Sequence, residues 1–136
     1  MNKCVFCIIA RREKSANIVW EDDYVMAFLD IDPISDGHTL VIPKNHIRDV
    51  SGLDEKTGSH VMSVAKILAS VIEKTFGFDG IEIRAVSGHF QDVPHFHLHV
   101  FGRNKINDIK IIYPKGINNS PEYLAKNAKK IKDELK

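Results

Sequence analysis

His95-Phe96-His97-Leu98-His99-Val100-Phe101 is the stretch on which the reading of this chain turns. Imidazoles alternate with large apolar side chains, and in a β-strand successive side chains point to opposite faces. His95, His97 and His99 are therefore expected on one face of a strand, with Phe96, Leu98 and Val100 on the other. Each imidazole can accept, donate or carry a proton near neutral pH. Three on one surface suit metal binding, or nucleophilic and acid–base chemistry on an anionic substrate. A single strand histidine is ordinarily a surface or satisfied core residue, but strict alternation against an unbroken apolar counter-face sets this stretch apart. A poly-histidine metal tract lacks that counter-face.

Outward from the triad the pattern alternates strands with one long helix. Val93 to Phe101 and Ile81 to Val86 read as strands joined around Ser87-Gly88. If they pair antiparallel, the alternation that sends Ile81 and Ile83 to the core sends Glu82 and Arg84 to the histidine face. Val61, Val64, Ala65, Leu68, Val71 and Ile72 recur at helical spacing between Asp54, a plausible N-cap, and Gly77, a plausible C′ residue. Ile18 to Glu21 and Tyr24 to Leu29 flank the turn-favouring pair Asp22-Asp23 as a hairpin, and His38 to Ile42 is a further strand. The expected class is α+β, an antiparallel five-stranded sheet with one long helix packed on it. Beyond Asn104 the chain is polar around an Ile109 to Tyr113 patch. Ser120-Pro121-Glu122 then opens a C-terminal helix as N-cap, first-turn proline and first-turn acid, with Leu124, Ala128, Ile131 and Leu135 as a narrow apolar stripe.

The chain has 136 residues, enough for one domain with a real core. Nineteen basic residues against eighteen acidic ones give a formal charge of +1, so no global electrostatic argument favours nucleic acid or an anionic membrane. Any polyanion specificity must be local. No apolar run approaches the roughly 18 residues of a membrane span. Met1-Asn2-Lys3-Cys4-Val5-Phe6-Cys7 lacks the apolar core and small-residue cleavage site of a signal peptide, and the expected location is cytoplasmic. Cys4 and Cys7 suit a reducing compartment better as metal thiolates than as a staple, although a lone Cys-x-x-Cys also fits a redox pair.

The triad resembles that of the histidine triad family, whose signature is His-φ-His-φ-His-φ-φ with φ apolar; all seven positions fit. Ala27-Phe28-Leu29-Asp30-Ile31 and Gly37-His38-Thr39-Leu40-Val41-Ile42-Pro43-Lys44-Asn45-His46 resemble the family's two upstream blocks, in order, and Gln91 and Val93 match the lead-in to the triad. The resemblance covers roughly residues 4 to 103. It implies a family domain over residues 1–103 and an extension over 104–136, ending in a helix and part of the same unit.

The family's activity would make this chain a nucleotide-binding hydrolase or transferase that cleaves at the α-phosphate of a nucleotide conjugate and releases the nucleoside monophosphate. His97 carries over as the nucleophile, His99 as a phosphate-side hydrogen-bond partner and His38 as a second imidazole bordering the site. Asp30 carries over as acceptor for the ribose hydroxyls, Phe28 and Ile31 as walls for the base, with purines favoured, and Gln91 as a phosphate-loop residue. Related bacterial proteins pair the cysteines with the histidine after Pro-Lys and the first triad histidine. This implies a closed structural zinc site of Cys4, Cys7, His46 and His95. A homodimer is likewise implied.

Two positions depart from the better-known branch of the family. Asp92 stands where a hydroxyl residue is usual, and Arg84 stands near the place of an asparagine. Arg84 is expected either to hold a phosphate oxygen pair or to bind the Asp92 carboxylate, offsetting its charge. The bland alternative is an exposed Arg84 and a turn residue at 92. Other functional readings left open are a dinucleoside polyphosphate hydrolase and a non-catalytic nucleotide-binding or scaffold protein.

Overall fold

Asp22 makes the first turn of the sheet, its Oδ1 accepting the backbone N–H groups of Tyr24 and Val25 at 2.9 Å each. A short polar side chain that satisfies two amides in this way replaces a backbone turn. The structure is a computed structural model that describes residues 3–135. Met1, Asn2 and Lys136, the outer ends of the two expected segments, lie outside the described residues, as does the start of the N-terminal stretch read for a signal peptide. The strands are β1 (Ile18–Glu21), β2 (Val25–Leu29), β3 (Thr39–Pro43), β4 (Gly80–Arg84) and β5 (Leu98–Arg103), and the helices are α1 (Val5–Ala10), α2 (Glu55–Phe76) and α3 (Pro121–Glu134). All neighbouring strands are antiparallel, in the order β1-β2-β3-β5-β4.

Alternation divides the sheet into two apolar faces. Val25, Ala27, Val41, Leu98 and Val100 meet Val61, Val64, Ala65, Leu68 and Ile72 of α2, with Phe96 buried in the same cluster. Met26, Phe28, Leu40 and Ile42 meet Phe6 and Ile9 of α1 on the other face. The caps of α2 are those the sequence indicates. Asp54 accepts the Thr57 amide at 2.8 Å, and Gly77 ends the helix in the left-handed region at φ 68°. Trp20 packs against the α2 face. Its indole N–H and His60 Nε2 both reach Asp22 Oδ2, at 2.9 and 2.8 Å, tying the hairpin turn to the helix. Burial works to raise the Asp22 pKa, but bonds from Trp20, Tyr24, Val25 and His60 outweigh it and hold the carboxyl well below the usual range.

The structure corrects several sequence expectations. The triad strand starts at Leu98 rather than Val93 and runs on to Arg103. Pro94 has no N–H for a ladder, and β3 ends at Pro43, so the lead-in is held by single bonds such as Phe96 N–H to the Ile47 carbonyl. The strand expected over Ile81 to Val86 is Gly80–Arg84. Ile81 packs on the α2 core, but Ile83 stays 39 % exposed because β4 is the sheet edge. Helix α1 was not foreseen. Its six residues are too few to show a period, yet Phe6, Cys7 and Ile9 are buried. In α3 the Ser120 cap and Pro121 sit as expected, but no residue of that helix is buried.

Candidate active site and metal cluster

A chain of hydrogen bonds fixes the protons on the histidines. The Ile34 amide donates to His38 Nδ1 at 3.0 Å, so in the neutral ring the proton is on Nε2. His38 Nε2 faces His99 Nδ1 at 2.9 Å and donates to it, which leaves the His99 proton on its Nε2. His97 Nδ1 lies 2.6 Å from the main-chain oxygen of His95. A carbonyl only accepts, so Nδ1 carries a proton, and in the neutral ring Nε2 keeps its lone pair. The register delivers these side chains to one face, with Leu40 opposite His99 across the β3–β5 pair and His38 one residue ahead of β3.

Burial sets the electrostatics. His38 is held below the ordinary histidine value chiefly by burial, against the opposing pull of Asp30. His99 is pushed down to about 4, again mainly by burial and then by the neighbouring His97 and His38. Both rings are therefore neutral near pH 7. Asp30 Oδ2 stands 3.5 Å from His38 Nε2 and 3.8 Å from His99 Nδ1, and its Oδ1 accepts the Asp32 amide at 2.9 Å. Asp30, His38 and His99 also lie close enough for a metal. His38 does not fit that role, because a metal would need the Nε2 lone pair while the Ile34 amide already holds the proton there.

The face opens into a cleft of about 490 Å³ lined by Phe28, Asp30, Ile31, Asp92, His97 and His99, a size that suits a small ligand. His38 stands behind His99. The structure does not bring Arg84 or Gln91 into this cleft. Arg84 is on the triad face, opposite His99 in register, but its guanidinium pairs with Glu82 at 2.5 Å and lies 5.3 Å over the Phe101 ring. No Arg84–Asp92 ion pair forms among the described residues, since Glu82, two positions away on the same strand face, takes the guanidinium first. Gln91 turns away to donate to the Arg48 carbonyl at 2.7 Å. Sequence reasoning missed another wall of the cleft, formed by Val5, Phe6 and Ile9 of α1 together with Lys14, Ser15 and Asn17. The one signal was Phe6, an aromatic residue enclosed by two cysteines.

Cys4, Cys7, His46 and His95 come together on the far side of α1, their donor atoms all within 4.8 Å of one another. His95 Nδ1 is 3.4 Å from each sulfur, and His46 Nδ1 is 3.3 Å from Cys7 Sγ. Tetrahedral zinc with bonds of about 2.3 Å to sulfur and 2.0 Å to nitrogen needs such donors roughly 3.5 Å apart, so the set fits. The rings are oriented for it. His95 Nε2–H donates to the Pro43 carbonyl at 2.8 Å, leaving Nδ1 as the lone pair that faces the sulfurs. Burial pushes His95 down to about 4, which keeps it in the neutral form a metal requires.

Residues 11–106 match the HIT domain, the domain of the histidine triad proteins. The chain belongs to the histidine triad family. An uncharacterized HIT-like protein of Borreliella burgdorferi is 39 % identical over 109 residues, covering 77 % of this chain and 78 % of that one. A histidine triad nucleotide-binding protein of Candida albicans superposes with a TM-score of 0.84 at 27 % identity, over 98 % of this chain and 97 % of the other. A zinc-bound histidine triad family protein of Mycobacterium smegmatis superposes with a TM-score of 0.76 at 30 % identity, over 97 % of both chains. This histidine triad protein thus has the α+β fold expected of its family.

Proposed function

We propose that the cleft binds a nucleotide conjugate, with a purine favoured, and cleaves it at the α-phosphate through a nucleotidyl-histidine intermediate. The observation that carries this is the bond from His97 Nδ1–H to the His95 carbonyl, which leaves Nε2 as a free lone pair on a residue lining the cleft. Attack by Nε2 forms the phosphorus–nitrogen bond as the bond to the leaving group breaks, and the electron pair departs with that group. The proton on His99 Nε2 is the donor that serves the phosphate or the departing group, with His38 holding His99 in the required tautomer. Water then cleaves the phosphorus–nitrogen bond, releases nucleoside monophosphate and restores His97. Asp30 accepts the ribose hydroxyls and Phe28 and Ile31 flank the base. Asp92 borders the phosphate end, Gln91 braces the chain at Arg48 from outside the cleft, and Arg84 acts from behind through its charge on His38 and His99.

Cys4, Cys7, His46 and His95 are proposed to hold a structural zinc ion, supported by the four-donor geometry and by the zinc-bound mycobacterial relative. The protein is proposed to work as a cytoplasmic homodimer. In support, β4 is a sheet edge with Ile83 exposed, and Ile67 and Val71 stand exposed one turn apart on the outer face of α2. Among the described residues no helix is long and apolar enough to cross a membrane. Residues 104–136 are proposed to belong to the same unit as 1–103. The start of this extension is tied to the sheet by Arg103 with Asp108 at 2.6 Å, and by Lys105 N–H to Asp79 at 2.8 Å.

The test is a panel of adenosine and guanosine phosphoramidates, phosphosulfates and dinucleoside polyphosphates, with release of monophosphate measured. Turnover of the phosphoramidates supports the reading. Turnover confined to dinucleoside polyphosphates would replace it, and binding without release would make the protein a non-catalytic nucleotide binder.

A further inference from the structure

Helix α1 carries the metal cluster on one side and the cleft wall on the other. Cys4 and Cys7 face His46 and His95, while Phe6, between them in sequence, is 7 % exposed and lines the cleft with Val5 and Ile9. The Phe6 ring meets His97 edge-on, with centroids 5.1 Å apart at 86°, and meets Phe28 at 5.4 Å. A six-residue helix has no stability of its own, and the side chain of Cys4 at its N-cap makes no capping bond. Its position rests on what its two sides touch. A second path runs alongside, since His95 offers Nδ1 to the sulfurs and its main-chain oxygen to His97 Nδ1–H.

We infer that metal occupancy of the Cys4, Cys7, His46 and His95 cluster and nucleotide binding in the cleft are linked through Phe6, each tightening the other. This rests on the proposed function, both in the ligand taken by the cleft and in the metal taken by the cluster. Drawing the two thiolates onto a metal fixes α1, and with it the Phe6 ring against Phe28 and His97, so the cleft is formed before the nucleotide arrives. A base seated on that wall in turn holds α1 where the sulfurs meet the imidazoles. Linkage of this kind is reciprocal, and the same factor must appear in both affinities. Phe6 is a positioning residue in this scheme, acting on the cleft and on His97 rather than on the reacting phosphorus.

The experiment uses the full chain, with zinc and adenosine monophosphate as probes. Calorimetry gives the affinity for the monophosphate in zinc-loaded and chelator-stripped protein, and competition with a chromogenic chelator gives the affinity for zinc with and without saturating monophosphate. We expect about a tenfold gain in each direction, inside the usual range for coupled sites. Phe6→Leu, which keeps an apolar side chain but loses the ring contacts, should still bind one zinc while the linkage falls below about threefold. Equal affinities in the loaded and stripped forms overturn the inference and leave the proposed function standing. Linkage of undiminished size in Phe6→Leu overturns it as well. If the stripped chain loses its far-UV dichroism, zinc competition on Phe6→Leu and the parent decides alone, and an equal effect of monophosphate on both counts against the inference. Failure of the loaded protein to bind monophosphate, or of the stripped protein to take up zinc, overturns the proposed function first and the inference with it.

Discussion

His97 Nδ1 and the carbonyl oxygen of His95 lie 2.6 Å apart, so a residue of the Cys–His cluster fixes the tautomer of the proposed nucleophile. The alternation that puts both rings on one face is what makes this possible. Residues two apart share a face, and both lie ahead of Leu98, where β5 begins, outside the strand ladder.

His97→Ala should remove at least a thousandfold of kcat on an adenosine phosphoramidate and change monophosphate affinity by less than about tenfold, as expected when covalent catalysis is lost and ground-state contacts remain. Single-turnover kinetics beside calorimetry checks this. Substantial hydrolysis by the pure variant would sink the mechanism.

His38→Ala should lower kcat by roughly ten- to a hundredfold, because it leaves His99 Nδ1 without the donor that fixes its proton on Nε2. The rate should fall more in kcat than in KM. A variant with unchanged kcat would show that the bond between the two rings does not matter to turnover.

Stability should fall as the solution is acidified from pH 7. Burial holds His38 and His99 below the ordinary histidine value, His99 at about 4. Between roughly pH 6.5 and pH 4 the unfolded chain binds protons at these positions that the folded chain does not, so stability rises with pH across that window. Urea unfolding should show a loss on the order of 1–2 kcal/mol between pH 6.5 and pH 5.5. A flat profile there would mean the rings are solvated in the folded protein.

Arg84→Asn and Asp92→Ser should act independently on kcat/KM, with effects that add within about 0.5 kcal/mol. The Arg84 guanidinium pairs with Glu82, and Asp92 sits exposed on the rim between the cleft and the metal cluster. Arg84→Asn and Glu82→Gln should instead fail to add. A clear non-additive term between positions 84 and 92 would restore the contact that the sequence suggested.

Zinc should be present at about one per chain in protein purified without chelators. Cys7→Ser should abolish it and lower Tm by several degrees, because a closed site ties α1 to the loop after β3 and to the triad lead-in. Metal analysis and thermal melts with added zinc measure both. A melt indifferent to zinc would contradict a structural role.

Local chemistry made much of the fold legible. Asp22 at the hairpin, Asp54 and Gly77 around α2, and Ser120 before α3 each act where a cap or turn residue is needed. The histidine face followed from period-two alternation, which survives even where Val93 to His97 leave the ladder. What stayed hidden depends on distance in space. Six residues of α1 show no period, and Lys14 to Asn17 reach the cleft only because β1 lies at the sheet edge beside β2. Arg84 had two carboxylates within plausible reach, and although alternation places Glu82 beside it, that this contact wins over Asp92 shows only in the folded chain.

Trp20 is the only tryptophan in the chain, and it sits on the α2 side of the sheet with its indole N–H tied to Asp22. The cleft lies on the other side. Intrinsic fluorescence therefore reports the hairpin and helix coming apart while staying blind to occupancy of the cleft, so an emission change on adding nucleotide would signal a rearrangement crossing the whole sheet.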